Sequence, residues 1–378
     1  MKILVVGSGG REHALAWKLA NDSMQPELYC APGNAGTAEL GLNVNLAVTD
    51  LGGLCDWCHV ERPDLVVIGP EAPLCAGLTD RLEADGLRVF GPNRAAAELE
   101  GSKEFAKEVM AAAGVPTSAY ESFTDADAAC AYVRERGAPI VVKADGLAAG
   151  KGVRVAETVE QAEEAIRDAL EANAFGSAGG RVVIEDFLVG EEASILALID
   201  GEHIVLLASS QDHKRIFEKD EGPNTGGMGA YSPASIVNEV VREKVIREVY
   251  EPMLAELKKR GITYKGVLYA GLMIQDDQPA VVEFNCRFGD PETQAVLARW
   301  DGDMLPALEA VVDGTLSNDL IHWKSEPSAC VVMVAGGYPG TYANGLPIGN
   351  IALANEVQDT VVFHAGTALV DEEVVTAG

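Results

Sequence analysis

The sequence predicts an α/β unit with a parallel sheet at the N-terminus, followed by larger α+β regions. The chain has 378 residues, which is more than one ordinary hydrophobic core holds, so two or three domains are expected. Short apolar runs alternate with helical stretches up to about residue 90, which is typical of parallel strands joined by helical crossovers. Beyond that point strands follow one another directly, as at Ala193–Ile199 and Ile204–Ala208, where Asp200-Gly201-Glu202 suits a hairpin turn.

The expected elements of the N-terminal unit follow in order along the chain. The predicted strands are Lys2–Val6, Leu28–Cys30, Leu65–Ile68 and Leu87–Phe90, and the predicted helices are Glu12–Leu19, Leu51–His59 and Leu74–Asp85. Ligands of such sheets bind at the carboxyl ends of the strands. Three turns rich in glycine or proline lie there: Gly7–Gly10, Ala31–Gly36 and Gly69–Pro73.

The rest of the chain is expected to mix helices and strands less regularly. The predicted helices are Lys103–Ala113, Asp125–Glu135, Val159–Glu171 and Glu239–Arg260, and the predicted strands include Ile140–Lys143, Val182–Glu185, Gly266–Ile274 and Ala280–Asn285. The polar stretch Gln211–Gly229 is too long for a simple connection, so we expect a functional loop. A third region begins near Ser328, with an apolar run at Cys330–Ala335 and a strand at Thr360–His364.

Composition excludes several classes of protein. The net charge of −29 disfavours broad contact with nucleic acid or an anionic membrane, because phosphates would be repelled. No apolar run is long enough to span a bilayer, and the apolar stretch at Lys2–Gly7 is too short for a signal peptide, so we expect a cytoplasmic protein. Cys55-Asp56-Trp57-Cys58-His59 has the spacing of a haem attachment site, but it lies in an expected helix, which favours reduced structural thiols.

Two glycine-rich segments have features of phosphate-binding sites. Gly9, Gly10 and Arg11 open a helix after the first strand, where free amides and a guanidinium suit an anion. Glu12 occupies the third glycine position, so the turn is a poor dinucleotide fingerprint and could equally be structural. The second segment, Gly146–Gly152, lacks the spacing of a P-loop and lies between two strands. A mobile hairpin over a triphosphate therefore fits better, with Lys151 and the preceding Lys143 as cations.

The strand at Val281–Arg287 predicts a metal site, because alternation along a strand puts Glu283, Asn285 and Arg287 on one face. Carboxylate and amide oxygens suit Mg²⁺, and Arg287 could stabilise a transferring phosphoryl group. An ordinary solvent-facing strand has the same alternation, so that interpretation stays open. Weaker candidates are Glu185, Phe187, Leu188 and Glu191 around a nucleoside, and Asp212, Lys214 and the glycine-rich run after Asn224 around other ligands.

Together these motifs resemble the ATP-grasp superfamily and, within it, the phosphoribosylamine–glycine ligases. The signature of that family is present as Arg287-Phe288-Gly289-Asp290-Pro291-Glu292. The other matching stretches are Gly7–Ala14, Gly69–Leu74, Gly101–Lys103, Lys143–Gly152, Gln211–Arg215 and Gly222–Tyr231. The likeness runs through the whole chain in order, although the family continues beyond Gly378 through a further strand and helix.

The resemblance implies a reaction and a domain plan. Glycine would be phosphorylated by ATP to glycyl phosphate, and 5-phosphoribosylamine would displace phosphate to give glycinamide ribonucleotide in purine synthesis. The expected domains are a substrate-binding domain at 1–100, an ATP-grasp region at 101–325 with a lid at about 120–190, and an incomplete C-terminal domain at 326–378. The implied partners are small molecules, with a transient handover from the enzyme that makes phosphoribosylamine.

The resemblance also implies residue roles. ATP would be held by Lys103, Lys143, Gly150, Lys151, Gly152, Glu185, Phe187, Leu188 and Glu191. The metal, Mg²⁺ or Mn²⁺, would be held by Glu283 and Asn285, and Arg287 would be catalytic. The other substrates would contact Gly9, Gly10, Arg11, Pro70, Glu71, Asp212, Lys214, Asn224, Thr225, Gly226, Asp290 and Pro291. The strand Gly266–Ile274 lacks the additional carboxylate that many ATP-grasp enzymes have there.

Three alternatives remain. Another purine-pathway or biotin-carboxylase-like ATP-grasp ligase is disfavoured by the Arg287–Glu292 signature, and dependence on bicarbonate in place of glycine would favour it. A nucleotide-binding protein without turnover would be expected to lack some of Lys143, Lys151, Glu283, Asn285 and Arg287, all of which are present. A dinucleotide-dependent oxidoreductase is disfavoured by the interrupted fingerprint at Glu12.

Overall fold

The N-terminal unit is a five-stranded parallel sheet, as predicted. The structure, a computed structural model, describes residues 1–147, 152–172, 180–219 and 221–378. The strands are β1 (Lys2–Gly7), β2 (Glu27–Pro32), β3 (Leu42–Asn43), β4 (Leu65–Ile68) and β5 (Val89–Phe90), in the order β3-β2-β1-β4-β5. The strand order reverses direction at β1, so a crevice opens between the carboxyl ends of β1 and β4. Gly7 and Gly69 lie at that crevice.

Six helices accompany this sheet. They are α1 (Gly10–Ala20), α2 (Thr37–Leu40), α3 (Leu51–Glu61), α4 (Glu71–Cys75), α5 (Leu78–Ala84) and α6 (Arg94–Gly101). The single helix predicted over Leu74–Asp85 is wrong, because Gly77 adopts a φ of +84° and separates two short helices. The Asn93 side chain accepts a hydrogen bond from Ala96 N and so begins α6, whose last turn contains Glu100.

A second sheet has a core of its own. Its elements are α7 (Lys103–Ala113), β6 (Tyr120–Phe123), α8 (Ala126–Arg136), β7 (Ile140–Ala144), β8 (Val153–Ala156), α9 (Val159–Leu170) and β9 (Val182–Asp186). The strand order is β6-β9-β7-β8, and α8 and α9 cover this sheet with residues such as Val133 and Ile166. The antiparallel pair β7–β8 flanks the glycine-rich loop, as predicted, and residues 148–151 of that loop lie outside the described ranges.

The central sheet contributes the predicted metal-binding strand. Its strands are β10 (Glu191–Asp200), β11 (Ile204–Leu206), β14 (Lys265–Gln275) and β15 (Gln278–Asn285). They pair antiparallel in the order β11-β10-β14-β15, and β10 and β11 form the expected hairpin. The long helix predicted over Glu239–Arg260 consists of α10 (Glu239–Lys244), a π-helical segment (Val245–Tyr250) and α11 (Glu251–Lys259).

The stretch Gln211–Gly229, which we expected to be a loop, is a β-hairpin. It contains β12 (Gln211–Phe217) and β13 (Glu221–Ser232), and β13 also pairs with β18 (Ser328–Val331). The two strands could not be recognised from the polar, glycine-rich composition. This hairpin is largely exposed and its register is irregular, so its sequence lacks the apolar alternation typical of a strand. Gly227 has a φ of +128°, and a Cβ there would lie 2.4 Å from Pro291 Cδ, so only glycine fits.

The remaining elements complete the C-terminal part of the chain. They are α12 (Glu292–Arg299), β16 (Trp300–Asp301), α13 (Leu305–Asp313), a 3₁₀ turn (Asn318–Leu320), β17 (His322–Trp323), α14 (Ile351–Asn355), β19 (Thr367–Val370) and β20 (Glu373–Thr376). The strand predicted at Thr360–His364 is wrong, because this segment packs on α1 instead of pairing in a sheet. His364 N donates to His13 Nδ1 at 2.8 Å, and the rings of Phe363 and Trp17 are 5.5 Å apart. Burial and the neighbouring His364 lower the pKa of His13 to about 4, so His13 stays neutral. Among the described helices, none is both long and apolar enough to cross a membrane.

Candidate active site

A single large cleft brings together residues from all parts of the chain. Its volume is about 2410 Å³, and it is lined by Arg11 from α1, Lys103 from α7, Lys143 from β7, Lys214 from β12 and Glu283 from β15. These side chains are far apart in sequence, and each projects from the end or the inner face of its own element. The predicted candidates therefore lie around one space.

Lys103 and Lys143 form the cationic side of the cleft. Lys103 Nζ donates to Gly146 O at 2.9 Å, and Lys143 Nζ donates to Val282 O at 3.0 Å. Burial lowers the pKa of Lys103, which Glu283 partly opposes. We call Lys103, Lys143 and Arg287 the cationic cluster.

Glu185 supports the cationic cluster through its carboxylate and also lines the cleft. Its Oε1 lies 2.8 Å from Lys143 Nζ, and its Oε2 lies 2.8 Å from Lys107 Nζ and accepts from Ser118 Oγ at 2.6 Å. Burial alone would raise the pKa of Glu185, but the two lysines outweigh it and hold that pKa below its usual value. The Glu185 side chain is 4% exposed and holds Lys143 in place, while the position of Glu185 around a nucleoside stays a prediction.

Glu283 lies where the cations converge. Four cations act on its carboxylate: Lys214, Lys143, Lys103 and Arg287. Burial would raise the pKa of Glu283, but these four charges outweigh it and keep the carboxylate ionised. Within the described ranges, no hydrogen bond reaches the Glu283 carboxylate, so its oxygens are available to a ligand.

The donor set at Glu283 and Asn285 fits a hard divalent cation. One ionised carboxylate and one amide oxygen are typical of Mg²⁺ sites, which take their other ligands from phosphates and water. The described residues contain no group of three or more acidic, histidine or cysteine side chains around a metal position. A metal here would therefore arrive with the triphosphate, whose charge the cationic cluster offsets.

Arg287 is held on several sides. Its Nη2 donates to Glu100 Oε1 at 2.8 Å and to Asn285 Oδ1 at 3.3 Å, and its Nη1 donates to Phe288 O at 3.2 Å. Burial would lower the pKa of Arg287, but Glu100 and then Glu71 raise it. The Nε atom is buried and has no hydrogen-bond partner among the described residues, although Glu71 Oε2 is 3.4 Å away. The Arg287 guanidinium is thus held in one orientation where it lines the cleft.

In the N-terminal turn, the Glu12 carboxylate accepts hydrogen bonds from the groups that were predicted to bind a phosphate. Glu12 Oε2 accepts from Gly9 N at 2.7 Å, and Oε1 accepts from Arg11 Nε at 2.5 Å. Arg11 Nη1 also donates to Phe288 O at 3.1 Å, so this guanidinium is engaged within the protein. A Cβ at Gly7 or Gly69 would lie about 2 Å from Glu12 atoms, because the Glu12 side chain fills the crevice between β1 and β4.

In a second group of charged residues near Glu283, carboxylates outnumber cations. We call Glu192, Asp212, Lys214, Tyr269 and Glu292 the acid pocket. Lys214 Nζ lies 3.3 Å from Glu192 and 3.7 Å from Asp212, and Tyr269 OH donates to Glu292 Oε1 at 2.7 Å. Burial, followed by Asp212, raises the pKa of Glu292 to about 7, and burial likewise raises the pKa of Asp212.

The remaining predicted residues lie around the same cleft with different degrees of engagement. Phe187, Leu188 and Gly152 line it, whereas Glu191 does not line it and instead accepts a hydrogen bond from Gln211 Nε2 through its Oε1 at 3.2 Å. Gly150 and Lys151 lie outside the described residues. Asn224 and Thr225 line the cleft, and Gly226 N donates to Tyr338 OH at 3.3 Å.

The predicted contacts of the N-terminal turns involve the signature loop. Asp290 Oδ2 accepts from Arg11 N at 3.4 Å, and a Cβ at Gly9 or Gly10 would meet Asp290 or Gln294. Pro291 is buried beside Gly227, and Pro70 precedes α4, which begins with Glu71. The turn at Gly9 is therefore joined to the ATP-grasp region through Asp290.

Sequence reasoning missed Glu100, Lys107, Tyr269 and Glu292 as functional side chains. Glu100 occupies an otherwise unremarkable helix end, and its proximity to Arg287 depends on contacts between distant segments. Glu292 was part of the quoted signature, but the signature alone gave it no role. The only local signal was the position of Glu100 directly before Gly101-Ser102-Lys103.

Comparison with known proteins agrees with this geometry. Models of the phosphoribosylglycinamide synthetase family match as the N domain at residues 1–100, the ATP-grasp (A) domain at 101–293 and the C domain at 328–378. The phosphoribosylamine–glycine ligase of Escherichia coli O6:H1 is 53% identical, with 100% of this chain and 89% of the relative covered. The one from Xanthomonas campestris is 54% identical, with 100% and 88% covered.

Solved structures give the same relationship. The crystal structure of phosphoribosylamine–glycine ligase from Thermotoga maritima superposes with a TM-score of 0.84 and 32% identity, covering 100% of this chain and 90% of that one. Biotin carboxylase from Campylobacter jejuni has a TM-score of 0.67 at 18% identity, covering 93% and 81%, and shares the fold. Family models, relatives and structure agree over the whole chain, which belongs to the phosphoribosylglycinamide synthetase family.

Proposed function

We propose that the chain ligates glycine to 5-phosphoribosylamine with ATP, through glycyl phosphate, and releases glycinamide ribonucleotide, ADP and phosphate. The observation that carries this proposal is the convergence of four cations on the ionised Glu283 beside Asn285. Such a site suits a metal–triphosphate complex and needs no nucleophile from the protein. Its relatives in the family carry the same activity in their names.

In the first step a glycine carboxylate oxygen attacks the γ-phosphorus, and the bond from that phosphorus to the ADP oxygen breaks. Lys103 and Lys143 are assigned to the triphosphate, and the Arg287 guanidinium to an oxygen of the transferring group or the acyl phosphate. Glu283 and Asn285 would hold the divalent ion, Mg²⁺ or Mn²⁺, which would neutralise phosphate charge during transfer. With these residues, the phosphoryl group passes directly from ATP to glycine, and no covalent intermediate on the protein is required.

In the second step the amine of phosphoribosylamine attacks the acyl carbon of glycyl phosphate. The bond from that carbon to the phosphate oxygen breaks, and the amine loses a proton as the amide forms. We assign phosphoribosylamine to the space between the Gly9–Arg11 turn and Asp290, because these groups from separate regions meet there. Gly9, Gly10, Pro70 and Glu71 border the same space.

Glycine is assigned to the acid pocket and its border with the cationic cluster. The carboxylates of Asp212 and Glu292 suit the glycine ammonium, while Lys214 and Arg287 suit its carboxylate. Thr225 and Gly226 would bound this position, since Thr225 Oγ1 donates to Lys214 O at 2.7 Å. This arrangement would orient glycine, which is a small zwitterion.

The proposal also includes the lid and the compartment. The unit around β6 to β9 has a separate core and borders the cleft with Phe187 and Leu188, which supports its assignment as a nucleotide lid at about 120–190. A cytoplasmic location is supported by the seven cysteines, all of which are described and are free thiols.

The test is ADP release with Mg-ATP when glycine and phosphoribosylamine are added singly and together. Release only with both substrates is expected. Bicarbonate in place of glycine serves as the control for a biotin-carboxylase-like activity. Release with bicarbonate, or no release with both proposed substrates, would overturn the substrate assignment.

A further inference from the structure

Glu100 lies at the junction between the N-terminal unit and the ATP-grasp region. It occupies the last turn of α6, directly before the segment that leads to Lys103, and its side chain is 8% exposed. Burial raises the pKa of Glu100, which Arg287 opposes. A buried carboxylate is costly unless charged or polar partners satisfy it, so its contacts indicate what it is for.

Those contacts join Glu100 to the end of β15. Glu100 Oε1 accepts from Arg287 Nη2 at 2.8 Å, while Oε2 accepts from Cys286 N at 2.8 Å and from Cys286 Sγ at 3.1 Å. Arg287 Nη2 also reaches Asn285 Oδ1 at 3.3 Å. One carboxylate thus fixes the backbone and the side chain of adjacent residues that follow a metal-binding candidate.

The hydrogen bond from Cys286 N to Glu100 is needed because the pairing of β14 with β15 stops one residue earlier. The last pair between β14 and β15 joins Tyr269 and Asn285, so the N–H of the buried Cys286 lies beyond the ladder. A buried amide without a partner is unfavourable, and Glu100 supplies the missing acceptor. Because Oε2 of Glu100 is fixed by Cys286 N, Oε1 of the same carboxylate determines where the Arg287 guanidinium lies.

We propose that Glu100 is a positioning residue that orients Arg287 for phosphoryl transfer. This inference rests on the proposed function. Nη2 is held by Glu100 and Nη1 by Phe288 O, and Nε faces Glu71 Oε2 at 3.4 Å, so the plane of the guanidinium is fixed where Arg287 lines the cleft. Such orientation matters because a misplaced donor stabilises the transition state poorly even when its charge is retained.

A purely structural role for Glu100 predicts a different result. In that case Glu100→Gln would lower the free energy of unfolding and would affect catalysis independently of Arg287. If Glu100 acts through Arg287, the effects of the two substitutions on turnover must not multiply. A double-mutant cycle on kcat therefore separates the two roles.

The experiment compares the unaltered chain with Glu100→Gln, Arg287→Ala and the double variant, measuring kcat, the KM for ATP and denaturant unfolding. Glu100→Gln is expected to lower kcat on the order of tenfold, the effect of one charge-assisted hydrogen bond, with the KM for ATP changed less than about threefold. In the Arg287→Ala background the same substitution should change kcat less than about twofold. The control is Glu98→Gln on the same helix, which should leave kcat within about twofold of the unaltered chain.

An equal loss of kcat in both backgrounds, or an unchanged kcat for Glu100→Gln, would overturn the proposal. If Glu100→Gln does not fold, Glu100→Asp retains the charge on a shorter side chain, and the same cycle and criteria apply. Failure of the proposed function would be seen separately, as absent ADP release by the unaltered chain with both substrates. That measurement precedes any comparison of variants.

Discussion

The cationic cluster and the acid pocket both interact electrostatically with Glu283, and they have opposite imbalances of charge. In the cationic cluster, Lys143 and Arg287 each form an ion pair with a buried carboxylate, Glu185 and Glu100 respectively. In the acid pocket, Lys214 is outnumbered, and the pKa values of Asp212 and Glu292 are raised. The first side needs an anionic ligand and the second a cationic one, so the cleft can orient a zwitterion by charge alone.

This comparison also accounts for phosphate binding by a protein with a net charge of −29. The cations that a triphosphate requires are gathered from α7, β7 and the segment that follows β15. Local arrangement, not overall charge, therefore determines the ligand. The following substitutions test the two sides separately.

The largest effect is expected for Arg287→Ala. Loss of a directed cation in the cationic cluster should reduce turnover by about two orders of magnitude or more, with ATP binding largely retained. Steady-state ADP release and nucleotide titration would measure the two quantities. Arg88→Ala, which removes an ion pair with Glu309, is the control. Near-normal turnover would remove Arg287 from the mechanism.

A smaller loss is expected for Glu283→Gln, which keeps the shape of the side chain but removes the charge between the two sides. Turnover at limiting metal should fall between about 10- and 100-fold, as for loss of a metal partner, and higher Mg²⁺ should restore part of it. A metal titration of ADP release measures this. The metal assignment fails if the dependence on Mg²⁺ is the same in both proteins.

Asp212→Asn should affect the acid pocket alone. We expect the KM for glycine to rise about tenfold, because one charge-assisted hydrogen bond to the ammonium is lost, while the KM for ATP changes little. Initial rates at varied glycine and fixed ATP would show this. A rise in the KM for ATP with an unchanged KM for glycine would reverse the assignment of the two sides.

The smallest effect concerns the pH dependence of stability. The pKa of Glu292 rises from its usual value near 4.5 to about 7 on folding, so its contribution to stability is greatest below the lower value and is lost as pH rises through the higher one. Between pH 6 and 7 the difference in unfolding free energy between the unaltered chain and Glu292→Gln should fall by on the order of 1 kcal/mol. Denaturant titrations at several pH values measure it, and a pH-independent difference would contradict the raised pKa.

Much of the fold and part of the site could be predicted from local sequence. The alternation that put Glu283, Asn285 and Arg287 on one face depends only on strand geometry, and β15 contains the first two. The hairpin β12–β13 was missed because its glycines and polar residues resemble a loop. The pairing of Glu100 with Arg287, and of Glu185 with Lys143, depends on packing between distant segments, which no local pattern encodes.

The Glu12 side chain has a consequence for how this fold could change its cofactor. It occupies the crevice between β1 and β4, which related architectures use for a dinucleotide pyrophosphate. Shortening it to glycine would open that space, but it would also leave the Arg11 Nε and Gly9 N donors without their acceptor. Conversion towards a redox enzyme would therefore require a simultaneous second change at Arg11, which makes a stepwise evolutionary route through single substitutions unfavourable.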